Sequence, residues 1–228
     1  MRAIVLVTAI ACLLAPSAAR GGGFKPWGAV NGSWATYSMG DVNDQIGSIN
    51  DGLSGSGLSM DEISNGFGFG ITLGGDLESP LSIGVGYDRL FAGSDVSDAS
   101  GSIKFDFPAN AYRAFAEYRF PSGSQFLPHV GIAGGMVTAS GSVELSATGV
   151  GTDKSDVSGS GPMGEFYVGG DFKAASSVSV IGSLGYRYAK IGEFKVAGET
   201  ATKEDGSKAT MDYSGMSARL GLKFKFMQ

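Results

Sequence analysis

"RLGLKFKFMQ", residues Arg219–Gln228, alternates side chains that want opposite surroundings: Arg219, Lys223 and Lys225 share one parity, Leu220, Leu222, Phe224 and Phe226 the other. Successive side chains of a β-strand point to opposite faces, so a strand here would carry its cations on one side and its apolar groups on the other. Such a strand needs an apolar medium along one face and a polar one along the other.

The same period-two sorting recurs upstream. Extended to Tyr213–Phe226, the last segment sets Met216, Ala218, Leu220, Leu222, Phe224 and Phe226 against Ser217, Arg219, Gly221, Lys223 and Lys225. "NGFGFGITLGG" puts Phe67, Phe69, Ile71 and Leu73 opposite Gly66, Gly68, Gly70 and Thr72. "LSIGVGYDRL" opposes Leu81, Ile83, Val85 and Tyr87 to Ser82, Gly84, Gly86 and Asp88, and "AYRAFAEYRF" opposes Tyr112, Ala114, Ala116, Tyr118 and Phe120 to Arg113, Phe115, Glu117 and Arg119. Further segments begin at Phe126 (Val130, Ile132 and Met136 against His129), at Gly164 (Phe166, Val168 and Phe172 against Glu165, Tyr167 and Asp171) and at Val178 (Val180, Leu184, Tyr186 and Tyr188 against Ser179, Ser183 and Arg187). With a first strand inside Lys25–Met39, where neither parity is cleanly apolar, this makes eight strands.

The connections alternate in length. "GDLESP", "PSGSQ" and "KAASS" are brief, whereas Gly40–Ser64, Ala92–Ile103, Ala147–Gly161 and Ala197–Thr210 are long. Short turns at one end and long loops at the other are the pattern of bacterial transmembrane barrels, with the short turns in the periplasm. On an up-and-down path, Phe67, Tyr87, Tyr112, Tyr186 and Tyr188 gather toward the long-loop end and Tyr118, Phe120, Phe126, Phe224 and Phe226 toward the other, as two interfacial aromatic girdles do. The expectation is an all-β, closed, antiparallel eight-stranded up-and-down transmembrane β-barrel with short periplasmic turns and four long extracellular loops.

The totals agree with one domain: 228 residues, 38 of them Gly, and only 17% charged. Met1–Ala19 has one Arg, an apolar run to Ala15, and Ser17 and Ala19 placed for a signal peptidase, which reads as a secretory signal peptide followed by a barrel domain over 20–228. Cys12 is a poor lipidation site, since the apolar run continues through Leu13 and Leu14 and the residue three upstream is Ala9. Cleavage after Ala19 removes Arg2 and the only Cys, leaving 16 basic residues against 22 acidic, a formal charge of −6. That excludes disulfides and cysteine metal sites, and leaves no basic stripe for nucleic acid. No later segment approaches the roughly 18–20 apolar residues of a spanning helix.

On these residues the chain resembles the small eight-stranded outer-membrane barrels, the porin-like family of the OmpA transmembrane domain and OmpX. Their closing strand carries an assembly signal of the form polar, any, Gly, any, any, aromatic, any, aromatic, and Arg219, Gly221, Phe224 and Phe226 occupy those positions, with Met227 and Gln228 beyond the usual end. The resemblance implies export to the outer membrane, contact with membrane lipids and lipopolysaccharide, recognition by the barrel assembly machinery, and surface partners reached through the long loops. It implies no cofactor.

An eight-stranded barrel is just wide enough for side chains to fill. The inward parity carries Asp88, Arg113, Glu117, Arg119, Glu165, Asp171, Arg187, Arg219 and Lys223, which predicts a network of ion pairs filling the lumen. One barrel of this size is a palmitoyl transferase, chemistry that wants a His near the extracellular mouth, but the single histidine, His129, follows the short "PSGSQ" turn at the opposite end. A non-enzymatic role in envelope structure or surface interaction is therefore expected, with binding or transport of a small amphiphile at the barrel top as the alternative. "GFGFG" lacks the following helix of a dinucleotide motif. In the first long loop, Val42, Ile46, Ile49 and Leu53 are spaced for a short amphipathic helix over 41–53 with Asp41 as its N-cap, a lid over the mouth. The loop carboxylates, Glu204 among them, lack the spacing of a twelve-residue calcium loop.

Overall fold

The computed structural model describes residues 23–226 except 56–57, 78–79, 100, 123–124, 150 and 204. The expected signal peptide with Cys12, Glu204, and Met227 and Gln228 lie outside the described residues.

The strands are β1 (Lys25–Thr36), β2 (Asn65–Asp76), β3 (Leu81–Leu90), β4 (Gly93–Ser97), β5 (Gly101–Asp106), β6 (Ala109–Arg119), β7 (Phe126–Ala147), β8 (Gly151–Lys173), β9 (Val178–Ile191), β10 (Phe194–Val196), β11 (Glu199–Thr200), β12 (Met211–Asp212) and β13 (Gly215–Lys225), with one helix, α1 (Gly40–Leu53). Every pairing is antiparallel. The hydrogen-bonded path runs β1, β2, β3, β6, β7, β8, β9, β13 and closes where β13 pairs β1, from Trp27↔Lys225 to Ala35↔Ser217. Closure leaves no sheet edge within this ring, the condition for a strand structure to sit in lipid.

Side chains sort as the alternation requires. Phe67 is 70% exposed, Leu184 60% and Leu220 67%, while Arg187 and Lys223 are each 1% exposed. The first strand follows the same rule: Trp27, Ala29 and Asn31 point in, Val30 and Trp34 out. Its parities look mixed in sequence because Trp27 and Ala29 fill the interior against Phe115, so the inward face is itself partly apolar.

Two differences from the sequence reading concern the long connections. Ala92–Ile103 folds as the β4–β5 hairpin, laid against the upper part of β7 from Asp106↔Ser142 to Gly101↔Ala147. Ala147–Gly161 is mostly strand, since β8 begins at Gly151 and pairs β7 along its whole length. Strands β7 and β8 are 22 and 23 residues long, about twice the ten that cross an apolar band. Their outward faces show where that band ends. In β8 the outward residues pass from Phe172, Val168 and Phe166 to Ser160, Ser158, Asp156 and Lys154. The fourth connection, Ala197–Thr210, holds β11 and is flanked by β10 and β12, with Ala197 (φ 52°) and Gly198 (φ 89°) forming the two-residue turn between β10 and β11. A crest of β4, β5, β7, β8, β10 and β11 thus rises on one side of the mouth.

Helix α1 packs against β12 and faces this crest across the mouth. Val42 and Ile46 are buried and Ile49 packs beside them. The helix begins one residue earlier than read, with Met39 at the N-cap position and no side-chain cap. Asp41 is not its cap, because that carboxylate is taken by the Thr210 amide and hydroxyl, both at 2.8 Å, and by Lys203 Nζ at 2.8 Å. Two asparagines staple the returning chain to α1. Asn43 accepts from Ile63 N–H at 2.8 Å and donates to its carbonyl at 3.3 Å; Asn50 does the same with Met60 at 2.7 and 3.0 Å.

Candidate functional site

The inward faces form two charged tiers with an apolar tier above. In the lower tier, Arg119 pairs with Asp76 and, at 3.1 Å, with Glu117, and its Nη2 lies 4.0 Å from Asp171. Lys223 Nζ meets Asp171 Oδ2 at 2.8 Å and sits 4.1 Å from the centroid of the Trp27 ring. Tyr167 donates to Glu117 at 3.0 Å, and His129 Nδ1 lies 3.5 Å from Asp171 Oδ1. The Trp27 indole N–H donates to Asp76 at 2.9 Å, so the ring spans this tier with a polar contact at its edge.

In the middle tier, Arg219 grips Glu165 through Nη1 at 2.7 Å and Nη2 at 2.9 Å, with Ser217 adding a 3.1 Å bond to the same carboxylate. Asp88 receives Arg113 Nε at 3.0 Å and lies 3.5 Å from Arg219 Nη2. Arg187, beside Glu165 in the ladder, donates through Nε to the Tyr213 carbonyl at 3.3 Å, and its guanidinium faces the Tyr37 ring at 5.9 Å. Inward glycines make the room: a Cβ at Gly70 would stand 2.2 Å from Asp88 Oδ1, and one at Gly131 would stand 2.4 Å from the Tyr167 ring.

Of the nine inward charged residues expected from the sequence, eight are between 1% and 9% exposed, and Arg219 is half-buried with its charged side chain turned into the lumen. Asp76 joins them unanticipated. It lies in "GDLESP", read as a turn, yet it continues the inward parity of Gly70, Thr72 and Gly74, and that parity was the available signal. With it, the acids Asp76, Asp88, Glu117, Glu165 and Asp171 equal in number the bases Arg113, Arg119, Arg187, Arg219 and Lys223. A void of about 50 Å³ remains beside Asn31, Arg119 and His129. Asn31 Oδ1, Arg119 Nε and His129 Nδ1 face no hydrogen-bond partner, so this void has both the volume and the polar walls for ordered water.

Above Arg187 the interior changes character. Ala109, Ala111, Val137, Ala139, Ala189, Ile191, Met211 and Tyr213 point in and are nearly inaccessible, and they join Val42 and Ile46 of α1 in one apolar cluster. Tyr213 spans it and donates to the Phe107 carbonyl at 2.8 Å. This tier was missed in the sequence, where the inside was read as small or charged throughout.

Phe67, Tyr118, Phe120, Phe126, Tyr186 and Tyr188 are each more than 40% exposed, and Tyr87 and Tyr112 pair across β3 and β6 with ring centroids 5.5 Å apart. Trp34, 40% exposed and opposite Phe67 in the ladder, belongs with them. Of the closing motif, Phe224 and Phe226 face outward, Arg219 inward, and a Cβ at Gly221 would stand 2.2 Å from the Val30 carbonyl. Among the described residues no group of three or more His, Cys, Asp and Glu side chains is arranged to hold a metal ion.

A closed ring, apolar outside and charged inside, meets a family match of the same description: outer membrane protein beta-barrel domain, over residues 3–226. The chain belongs to this family. It is a protein of the bacterial outer membrane, held among lipids by its strands. Among solved structures it is similar to Neisserial surface protein A, at 18% identity and a TM-score of 0.51, covering 88% of this chain and 97% of that one, which is a likeness of fold. OprG of Pseudomonas aeruginosa matches at 15% identity and a TM-score of 0.49, covering 91% and 99% of the two chains. Ail of Yersinia pestis, solved with the heparin analogue sucrose octasulfate, matches at 12% and 0.44, covering 89% and 99%. No curated protein matches the sequence.

Proposed function

We propose that this protein is a non-enzymatic outer-membrane barrel whose lumen is closed by its own side chains, and which acts as a structural and surface-interacting element of the envelope. The observation that carries this reading is the stacking of matched acids and bases beneath the apolar tier that α1 covers. A hydrated ion would have to displace paired charges and then cross a greasy layer, and both steps are costly. The single histidine supports a non-catalytic role, since it is buried in the lower tier beside Asp171 and far along β7 from the crest. Reconstituted into planar bilayers, the protein is expected to show no steady conductance, and a stable open channel would overturn the closed lumen.

Arg219, Gly221, Phe224 and Phe226 serve in this account as the signal read by the barrel assembly machinery. Lipopolysaccharide is the lipid facing the girdle of Phe67, Tyr87, Tyr112, Tyr186 and Tyr188, and the crest is the surface offered to partners. One observation favours a second role, binding of a small amphiphile at the barrel top: an apolar cavity of about 320 Å³ lies between α1 and the crest.

A further inference from the structure

The cavity between α1 and the crest is lined by Val42 and Ile49 of the helix and by Phe105, Val143, Val157 and Phe194 of β5, β7, β8 and β10. Its volume falls at the lower end of the range of small-molecule sites, roughly 300–1,000 Å³. Apolar walls hold water poorly, so a chamber of this kind favours hydrocarbon over water. It shares none of its lining with the charged tiers.

The polar groups of the lining are few, and they select. Asp41, Gln45 and Thr202 supply them, and Asp41 is the one ionised side chain among the described lining residues. A neighbouring hollow that shares Ile103 and Leu145 with the chamber adds Asp98 and Asp153 and no base. An anionic head group would meet the Asp41 carboxylate, the Gln45 amide and the Thr202 hydroxyl, and no base among the lining residues. A cationic head gains little from Asp41, whose oxygens already receive Lys203 Nζ, the Thr210 amide and the Thr210 hydroxyl at 2.8 Å each.

The geometry points to a site for an uncharged, mainly aliphatic molecule carrying at most a hydroxyl-sized polar group, bound between α1 and the inner face of β5, β7, β8 and β10. This deepens the second role above and rests on it. It requires neither a conducting lumen nor a binding partner in the lipopolysaccharide head groups, which are anionic.

The test uses the full-length mature protein in lipid nanodiscs, with labelled Ile and Val methyl groups followed by NMR during titration with 1-octanol, octanoate and octylammonium at pH 7. Octanol is expected to give saturable shifts at Val42, Ile49, Val143 and Val157, with octanoate and octylammonium at least tenfold weaker. Ala209→Trp, which fills the chamber, should abolish the octanol shifts. Because that variant places a large ring in a packed region, Gln45→Lys provides an independent check at an exposed position: it should raise octanoate affinity at least fivefold relative to octanol, and the absence of that gain would overturn the assigned site. Saturable binding of all three probes with equal affinity would overturn the proposed selectivity while leaving amphiphile binding in place. Shifts that grow linearly without saturation, or that persist in Ala209→Trp, would overturn both.

Discussion

Arg219 of β13 and Glu165 of β8 are joined by two parallel bonds, Nη1 at 2.7 Å and Nη2 at 2.9 Å, across a strand that separates them in the wall. β9 lies between, so this contact bridges the lumen side of three strands and ties the closing strand to the middle of the chain. Planar, bidentate pairing is the strongest form such a contact takes.

Breaking it from one side should be worse than removing it whole. Glu165→Gln leaves a buried guanidinium short of its carboxylate and should cost about 3–5 kcal/mol. Arg219→Met should cost a similar amount, and the double variant less than the sum of the two. Urea unfolding in lipid vesicles gives the three values; additivity within about 0.5 kcal/mol would show that the two residues act independently.

A positive charge on the outer wall should be tolerated or not according to height. Leu184→Arg places it on the lipid face of β9 and should destabilise by about 2–4 kcal/mol. Ser158→Arg, on the same outward parity of β8 but beyond its apolar band, should change stability by less than about 0.5 kcal/mol. Equal costs at both sites would contradict the boundary drawn between Phe166 and Ser160.

The staples on α1 can be cut separately. Asn50→Leu removes the side-chain partner of both the Met60 N–H and the Met60 carbonyl and should cost about 1–3 kcal/mol locally. Hydrogen exchange at Met60 and through the last turn of α1 should quicken while the ring strands keep their protection. Unchanged exchange at Met60 would remove the asparagine from the account.

Docking of α1 should also depend on pH. Asp41 is partly desolvated, which alone would raise its pKa, but the bonds from Lys203 and Thr210 outweigh this and hold the carboxyl below its ordinary value. A lowered folded-state pKa stabilises above the unfolded value and the benefit is lost as pH falls through the folded one. Methyl signals of Val42 and Ile46 should therefore be constant from neutrality down to about pH 4 and shift below it. In Asp41→Asn that transition should vanish; if it persists, another group controls the helix.

The wall was legible in the sequence and the mouth was not. Phe67, Ile71 and Leu73 alternate with glycines, and only a strand between lipid and a crowded interior asks for that pattern. The charged tiers followed from the opposite parity, up to the point where Asp76 was lost to a turn-like context. The crest went unread because outward residues such as Lys154, Asp156, Ser158 and Ser160 have the composition of loops, and their inward partners Gly159 and Gly161 contribute no apolar signal. The apolar tier was missed for a related reason. Ala109, Val137 and Ile191 sit where their strands leave the lipid, so the outward face has already turned polar and the usual contrast between faces is reversed.

The account depends most on which side chains touch lipid. Nuclear Overhauser contacts from lipid acyl chains to protein methyl groups, measured on the mature protein in nanodiscs, decide this directly. Contacts are expected at Ile71, Leu73, Leu184, Leu220 and Leu222, and none at Leu90, Val137 or Ile191. Lipid contacts at the second set and not the first would contradict the inside-out sorting on which the barrel and its charged lumen both stand.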